Sequence, residues 1–119
     1  MQFKNFADAS SKQWFSQAWR EKIAAGFPTS ASMSGAKLST LHDLFTLSQP
    51  HSMIWVGTGM MPSNSKAATR NDTNCVGSYA GAMAQSPSDA SPDEMPPGDL
   101  ETAEQFGARV AEVASKFNR

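Results

Sequence analysis

Cysteine is almost absent from this chain. Cys75 is the single one among 119 residues, so no internal disulfide can form, and no second Cys or His stands near it at metal-ligand spacing. It reads as an inert thiol in a reducing compartment. Long apolar runs are also lacking: the longest is a handful of residues, against the ~18 that a membrane span needs. The first ten residues, MQFKNFADAS, carry no hydrophobic signal region, and a cytoplasmic location is expected. Charge of either sign is not in excess. Ten Lys and Arg against eleven Asp and Glu give a formal net charge of −1, which excludes the basic footprint of a nucleic-acid or anionic-membrane binder. Asn71-Asp72-Thr73 matches the glycosylation acceptor pattern, but without a secretion signal it reads as a chance match.

What is present suits one domain, with 39% hydrophobic residues over 119 positions. Phe3, Phe6 and Ala7 recur at helical spacing and predict a short helix closing near Ala9. Polar Ser10 to Gln13 breaks the pattern, leaving Trp14, Phe15 and Trp19 in an irregular segment where such rings plug a core edge or line a pocket. Lys22 to Phe27 is a short apolar run ending at Pro28, as expected of a strand buried on both faces. Leu38, Leu41, Leu44, Phe45 and Ser48 then define one face of a helix, with Lys37, Thr40, Asp43 and Gln49 on the other. Ser34 is its candidate N-cap and Pro50 its stop. Residues 52–56, SMIWV, read as a second buried strand before Gly57 and Gly59.

Strand, helix, strand is a βαβ unit, so the fold class is α/β with a parallel sheet. Residues 58–99 show no periodicity and are rich in proline, small and polar residues. Such a segment is a functional loop or a solvated insertion. Over 100–117 the spacing of Leu100, Ala103, Phe106, Val110, Val113, Ala114 and Phe117 predicts a final helix. Asp99 is placed to cap it, Glu101 and Glu104 suit its positive end, and Lys116 and Arg119 its negative end. Gly107 inside it predicts close approach to a neighbouring strand. Two strands are too few for a parallel sheet covered on both faces, so the sheet is expected to be incomplete.

Four stretches, in order, resemble the flavodoxin-like NAD(P)H:quinone oxidoreductases of the WrbA type and related FMN-dependent flavodoxin-family reductases. FKNFADASSKQWF, with Phe6, Asp8 and Trp14, is similar to that family's helix and following loop. KIAAGFPTSASMSGAKLSTL is similar to its fourth strand, flavin-contacting loop and next helix. HSMIWVGTG is similar to its fifth strand preceded by a histidine, and NCVGSYAGAMAQSP with GDLETAEQFGARVAEVA to its closing loop and C-terminal helix.

The resemblance implies a flavodoxin-like sheet of order 2-1-3-4-5 with flanking helices. This chain would supply the C-terminal portion, residues 1–119, without the first three strands and the loop that grips the FMN phosphate. Met1 would fall in the helix after the third strand. It implies FMN as cofactor, NAD(P)H as electron donor and a quinone or other small-molecule acceptor, with homo-oligomeric assembly expected. Thr29, Ser30, Ala31, Ser32, Met33 and Ser34 would contact the flavin ring, although Ala31, Met33 and Ser34 stand where the WrbA branch is glycine-rich. The plain alternative for these residues is a strand-to-helix turn. Trp14 would stack beside the ring, and His51 would donate a proton or hydrogen bond to a quinol oxygen; the alternative for His51 is a polar residue at a strand entry. His42, near Asp43, matches nothing and is expected on the surface. For the chain as a whole, the alternative is a truncated, non-catalytic remnant that acts by pairing its exposed strand with another chain.

Overall fold

The computed structural model describes residues 2–117; Met1 and Arg119, both named above, lie outside them. In chain order the elements are α1 (Gln2–Ala9), α2 (Ser11–Ser16), β1 (Ile23–Ala24), β2 (Thr29–Ser30), α3 (Lys37–Ser48), β3 (Ile54–Trp55), β4 (Ala84–Gln85), a 3-10 turn at Pro92–Glu94 and α4 (Pro97–Phe117).

The two apolar runs pair in parallel, Ile23 with Ile54 and Ala24 with Trp55, and α3 connects them as a βαβ crossover must. A second parallel pair joins Thr29 to Ala84 and Ser30 to Gln85. Here the structure departs from the sequence reading, because β2 lies in the stretch read as a loop and β4 in the stretch without periodicity. The partner of a residue lies 31 positions later in the first pair and 55 later in the second. β3 and β4 are therefore two halves of one strand path, interrupted by an excursion of 24 residues. Neither half is long enough to show a period of its own.

Helices cover both faces of the β1 path. A side chain at Gly26 would run into Leu41 and Leu44 of α3, whereas Ala25 and Phe27 line a cavity of about 400 Å³ with Ala103, Phe106 and Val110 of α4. Successive strand residues point to opposite faces, so α3 and α4 lie on opposite sides. The apolar core is thin: among the described residues only Leu41, Val56, Ala82 and Phe106 are buried hydrophobics, against nine buried polar or charged residues. The run expected to be buried on both faces is not. Ile23 and Ala24 are half-buried and Phe27 is 75% exposed. β1 pairs with β3 alone among the described residues, and beside it opens a groove of about 380 Å³ lined by Phe3, Phe6, Trp19, Ile23, Leu47 and Met53, among others.

Several local expectations are corrected. The polar break at Ser10 to Gln13 is instead the start of α2, so Trp14 and Phe15 are helical; α2 ends where Gln17 turns left-handed at φ 53°. On α3, Leu38 and Phe45 are 50% and 42% exposed while Lys37, assigned to the solvent face, is 2% exposed. Ser34 does not cap α3: the position before the helix is Ala36, and no side chain caps it. α4 begins at Pro97, a residue suited to the first turn because its missing N–H would have no partner there. Asp99 is thus inside the helix and buried. Gly107 lets nothing approach closely, since a Cβ there would meet no atom within 4 Å.

The long segment between β3 and α4 is tied down by polar groups. Asn74, 1% exposed and left-handed at φ 52°, donates from its backbone N–H to Thr102 Oγ1 (2.8 Å) and from Nδ2 to the carbonyls of Ser78 (3.0 Å) and Met60 (3.3 Å). Its Oδ1 accepts from Ser78 N–H (2.9 Å). Arg70 grips the Asp99 carboxylate with both guanidinium ends, at 2.7 and 2.6 Å, and Asp99 also accepts from Gln85 N–H at 2.8 Å. That single carboxylate ties the excursion, β4 and α4 together.

Candidate functional site

The stretch Thr29–Ser34 leaves the carboxyl end of β2, turns at Gly35 and enters α3. Thr29 and Ala31 to Ser34 are exposed; Ser30 is half-buried. The turn is organised from inside. Lys37 Nζ donates to Ser30 Oγ (2.8 Å), Ser32 O (2.8 Å) and Met33 O (3.0 Å), which uses all three of its hydrogens. Ser30 Oγ in turn donates to Ser32 O (2.8 Å), and Gln85 Nε2 reaches across from β4 to Ala31 O (2.7 Å).

These inward contacts fix the outward ones. In a planar trans peptide the C=O of one residue and the N–H of the next point in opposite directions. With the Ser32 and Met33 carbonyls drawn to the buried Lys37 ammonium and that of Ala31 to the Gln85 amide, the N–H groups of Ser32, Met33 and Ser34 point away from those partners, and among the described residues none of the three donates to another backbone group. Gly35 is needed behind them, because a Cβ there would overlap Ser30 Oγ. The result is a short row of free donors at the carboxyl edge of a parallel sheet, where open α/β folds bind ligands. Such a row suits the acceptor edge of a planar heterocycle.

His51 and Trp14 lie elsewhere. His51 precedes β3 and Thr29 follows β1, so the two mark opposite ends of the parallel pair. The six residues from Ile23 to Thr29 alone amount to roughly 20 Å of extended chain. His51 is 1% exposed and packs under Trp19, ring centroids 4.4 Å apart. Its Nε2 meets Ser10 Oγ at 3.0 Å; because Ser10 Oγ donates to Ala7 O (2.7 Å), Nε2–H is the donor, and Nδ1 has no partner. This histidine fastens the α1–α2 junction to the start of β3. Trp14, 48% exposed on α2, meets Phe15 edge-on at 6.5 Å. The structure thus brings Thr29 to Ser34 together and sets His51 and Trp14 apart from them. His42 is exposed, as expected.

Lys37 and Gln85 were missed by the sequence reading, although Lys37 carried a signal, since it falls on the same helical stripe as Leu41, Leu44 and Ser48. Among the described residues no group of His, Cys, Asp and Glu could hold a metal ion, and no helix is long and apolar enough to cross a membrane.

No family model matches the chain. Individual proteins do. Flavodoxin FldP of Pseudomonas aeruginosa is 44% identical over 117 residues, covering 98% of this chain and 64% of the relative. An NAD(P)H dehydrogenase (quinone) of Archaeoglobus fulgidus is 32% identical over 116 residues, covering 98% of this chain and 52% of the relative. A crystal structure of a WrbA-like flavodoxin from Agrobacterium tumefaciens superposes with a TM-score of 0.73 at 44% identity, covering 98% of this chain and 58% of the other. The chain therefore spans about half to two thirds of the length of the relatives it matches. By sequence and by structure the chain is α/β and flavodoxin-like, similar to these flavodoxin and WrbA-like proteins.

Proposed function

We propose that these residues are the C-terminal portion of an FMN-dependent oxidoreductase that reduces quinones or flavins with NAD(P)H, and that Thr29 to Ser34 contact the flavin ring. One observation carries the reading: the row of outward peptide donors at Ser32, Met33 and Ser34, in a chain whose relatives are named flavodoxin and NAD(P)H dehydrogenase (quinone). The residues present fit the polar edge of an isoalloxazine ring. When bound, FMN would supply hydride acceptance from the nicotinamide and electron delivery to the acceptor. The chain supplies hydrogen bonds at the ring edge, and these strengthen as negative charge develops there.

Trp14 is carried as the stacking group and His51 as a donor to a quinol oxygen, a role that requires its buried Nε2–H to leave Ser10 Oγ, because that bond uses the one N–H of the ring. Both lie at the far end of the sheet from the ring contacts, so they enter the same site only from a second copy of the chain. This gives the expected homo-oligomer a functional reason. In a chain completed to the length of its relatives, His51→Ala should lower quinone turnover more than FMN content; unchanged turnover removes the role.

Retention of FMN tests the main reading. After FMN is added and the excess removed, residues 1–119 alone should keep little flavin, because they contact the ring and leave the phosphate to other residues. The completed chain should stay yellow and turn over quinone. A stoichiometric yellow complex of 1–119 contradicts this division of the site, and a colourless completed chain overturns the function.

A second reading is favoured by the open edge of β1 and the apolar groove beside it: a non-catalytic chain that pairs this strand with a partner. A monomeric mass at every concentration counts against it.

A further inference from the structure

We infer that Lys37 is a positioning residue for the ring-contacting turn: its buried ammonium holds the carbonyls of Ser32 and Met33 inward and so aims the N–H groups of Met33 and Ser34 at the ligand. The inference rests on the flavin reading above and adds to it the residue that shapes the donor row.

A buried charge is costly unless it is paired or fully hydrogen-bonded. Lys37 is 2% exposed, and among the described residues its ammonium lies in no salt bridge with a carboxylate. Its three partners are neutral oxygens, and all belong to residues 30–33. A lysine needed only to begin α3 would extend into water at lower cost. What the burial achieves is local: together with the Ser30 hydroxyl and the Gly35 N–H, which also donate to Ser32 O, it fixes two successive peptide planes that no strand or helix ladder holds, and it alone reaches the Met33 carbonyl. Carbonyls that accept from a cation are polarised, and their peptide N–H groups become stronger donors. The same ammonium places a fixed positive charge behind the edge at which a reduced, partly anionic ring would sit.

The test is amide-resolved NMR on the 119-residue chain, unmodified and with Lys37→Met or Lys37→Gln, without and with millimolar FMN. Lys37→Met keeps the apolar stem and removes the donors. Residues 31–35 should become mobile while resonances of α4 and of the β1–β3 pair stay in place, and FMN affinity should fall roughly tenfold. Lys37→Gln, with two N–H donors and no charge, should restore order in part and affinity less. An ordered turn and unchanged FMN response in Lys37→Met overturn the role of Lys37. If Lys37→Met does not fold, couplings through the hydrogen bonds from the Lys37 ammonium to the carbonyl carbons of Ser32 and Met33 decide in the unmodified chain, and their absence overturns it. No FMN response at Met33 and Ser34 in the unmodified chain is a different failure, that of the flavin reading itself.

Discussion

Among the described residues, buried polar and charged side chains outnumber buried hydrophobic ones nine to four. Asp99 shows what one of them does. As a cap it would have been replaceable, but it is a buried carboxylate holding Arg70 and the Gln85 N–H. The Arg70 guanidinium is correspondingly held above its ordinary value, first by the hydrogen bond to Asp99. Arg70→Met leaves that carboxylate without its cation and should cost about 3 kcal/mol in urea unfolding, the low end for a broken buried pair because Gln85 still donates. A loss below half that amount would mean Asp99 is solvated. None of this was legible: Arg70 and Asp99 lie 29 residues apart, and no local pattern couples them. Lys37 was legible in principle. Its place on the stripe of Leu41 and Leu44 points it inward, and although lysine is rarely buried, here oxygens of Ser30, Ser32 and Met33 surround its ammonium.

Elements were readable in proportion to their length. α3 and α4 announce themselves over 12 and 21 residues, and the β1–β3 pairing followed from two apolar runs flanking a helix. Strands of two residues such as β2 and β4 contain no period to read. Gly107 shows the converse: a glycine inside a helix suggests close packing, and none follows here. A Cβ there meets nothing, so Gly107→Ala should raise stability by about 1 kcal/mol through helix propensity; a loss would show that the groove beside Phe27 is closed by other residues in solution. The 3-10 turn offers a pH test. Ser91 Oγ donates to Asp93, and the Ser91 N–H donates to Glu94 Oε2 at 2.6 Å. These bonds hold both carboxyls below their ordinary values, for Asp93 chiefly through the Ser91 side chain and for Glu94 chiefly through the Ser91 backbone. A depressed carboxyl stabilises above its unfolded value, and that contribution is lost as pH falls through the folded one. The Ser91 amide resonance should therefore hold steady down to pH values below the ordinary glutamate range and move only beneath it; movement above that range contradicts the bond.

At the scale of the whole molecule, the parallel strands among the described residues form two sheets of two strands each. Twelve large hydrophobic residues of the described chain are exposed, Phe15 at 85% and Phe27 at 75% among them, and the groove at the β1 edge adds a continuous apolar surface. The α/β class was legible because two apolar runs flanking a helix make a parallel βαβ unit. The direction in which His51 and Trp14 would act was not, because sequence order does not say which end of a strand pair a residue occupies. The exposed surface predicts concentration-dependent association of the 119-residue chain and binding of a hydrophobic dye, both suppressed in a chain completed to the length of its relatives; a dye-silent monomer would mean the groove is closed. It also sets the most direct test of the central claim, because a flavin is itself an aromatic surface and has two places to go. Intermolecular nuclear Overhauser effects from the flavin ring protons of FMN to the labelled chain distinguish them. Contacts to the amides of Ser32, Met33 and Ser34 are predicted. Contacts confined to the groove of Phe3, Phe6 and Trp19 would show that the donor row does not hold the ring.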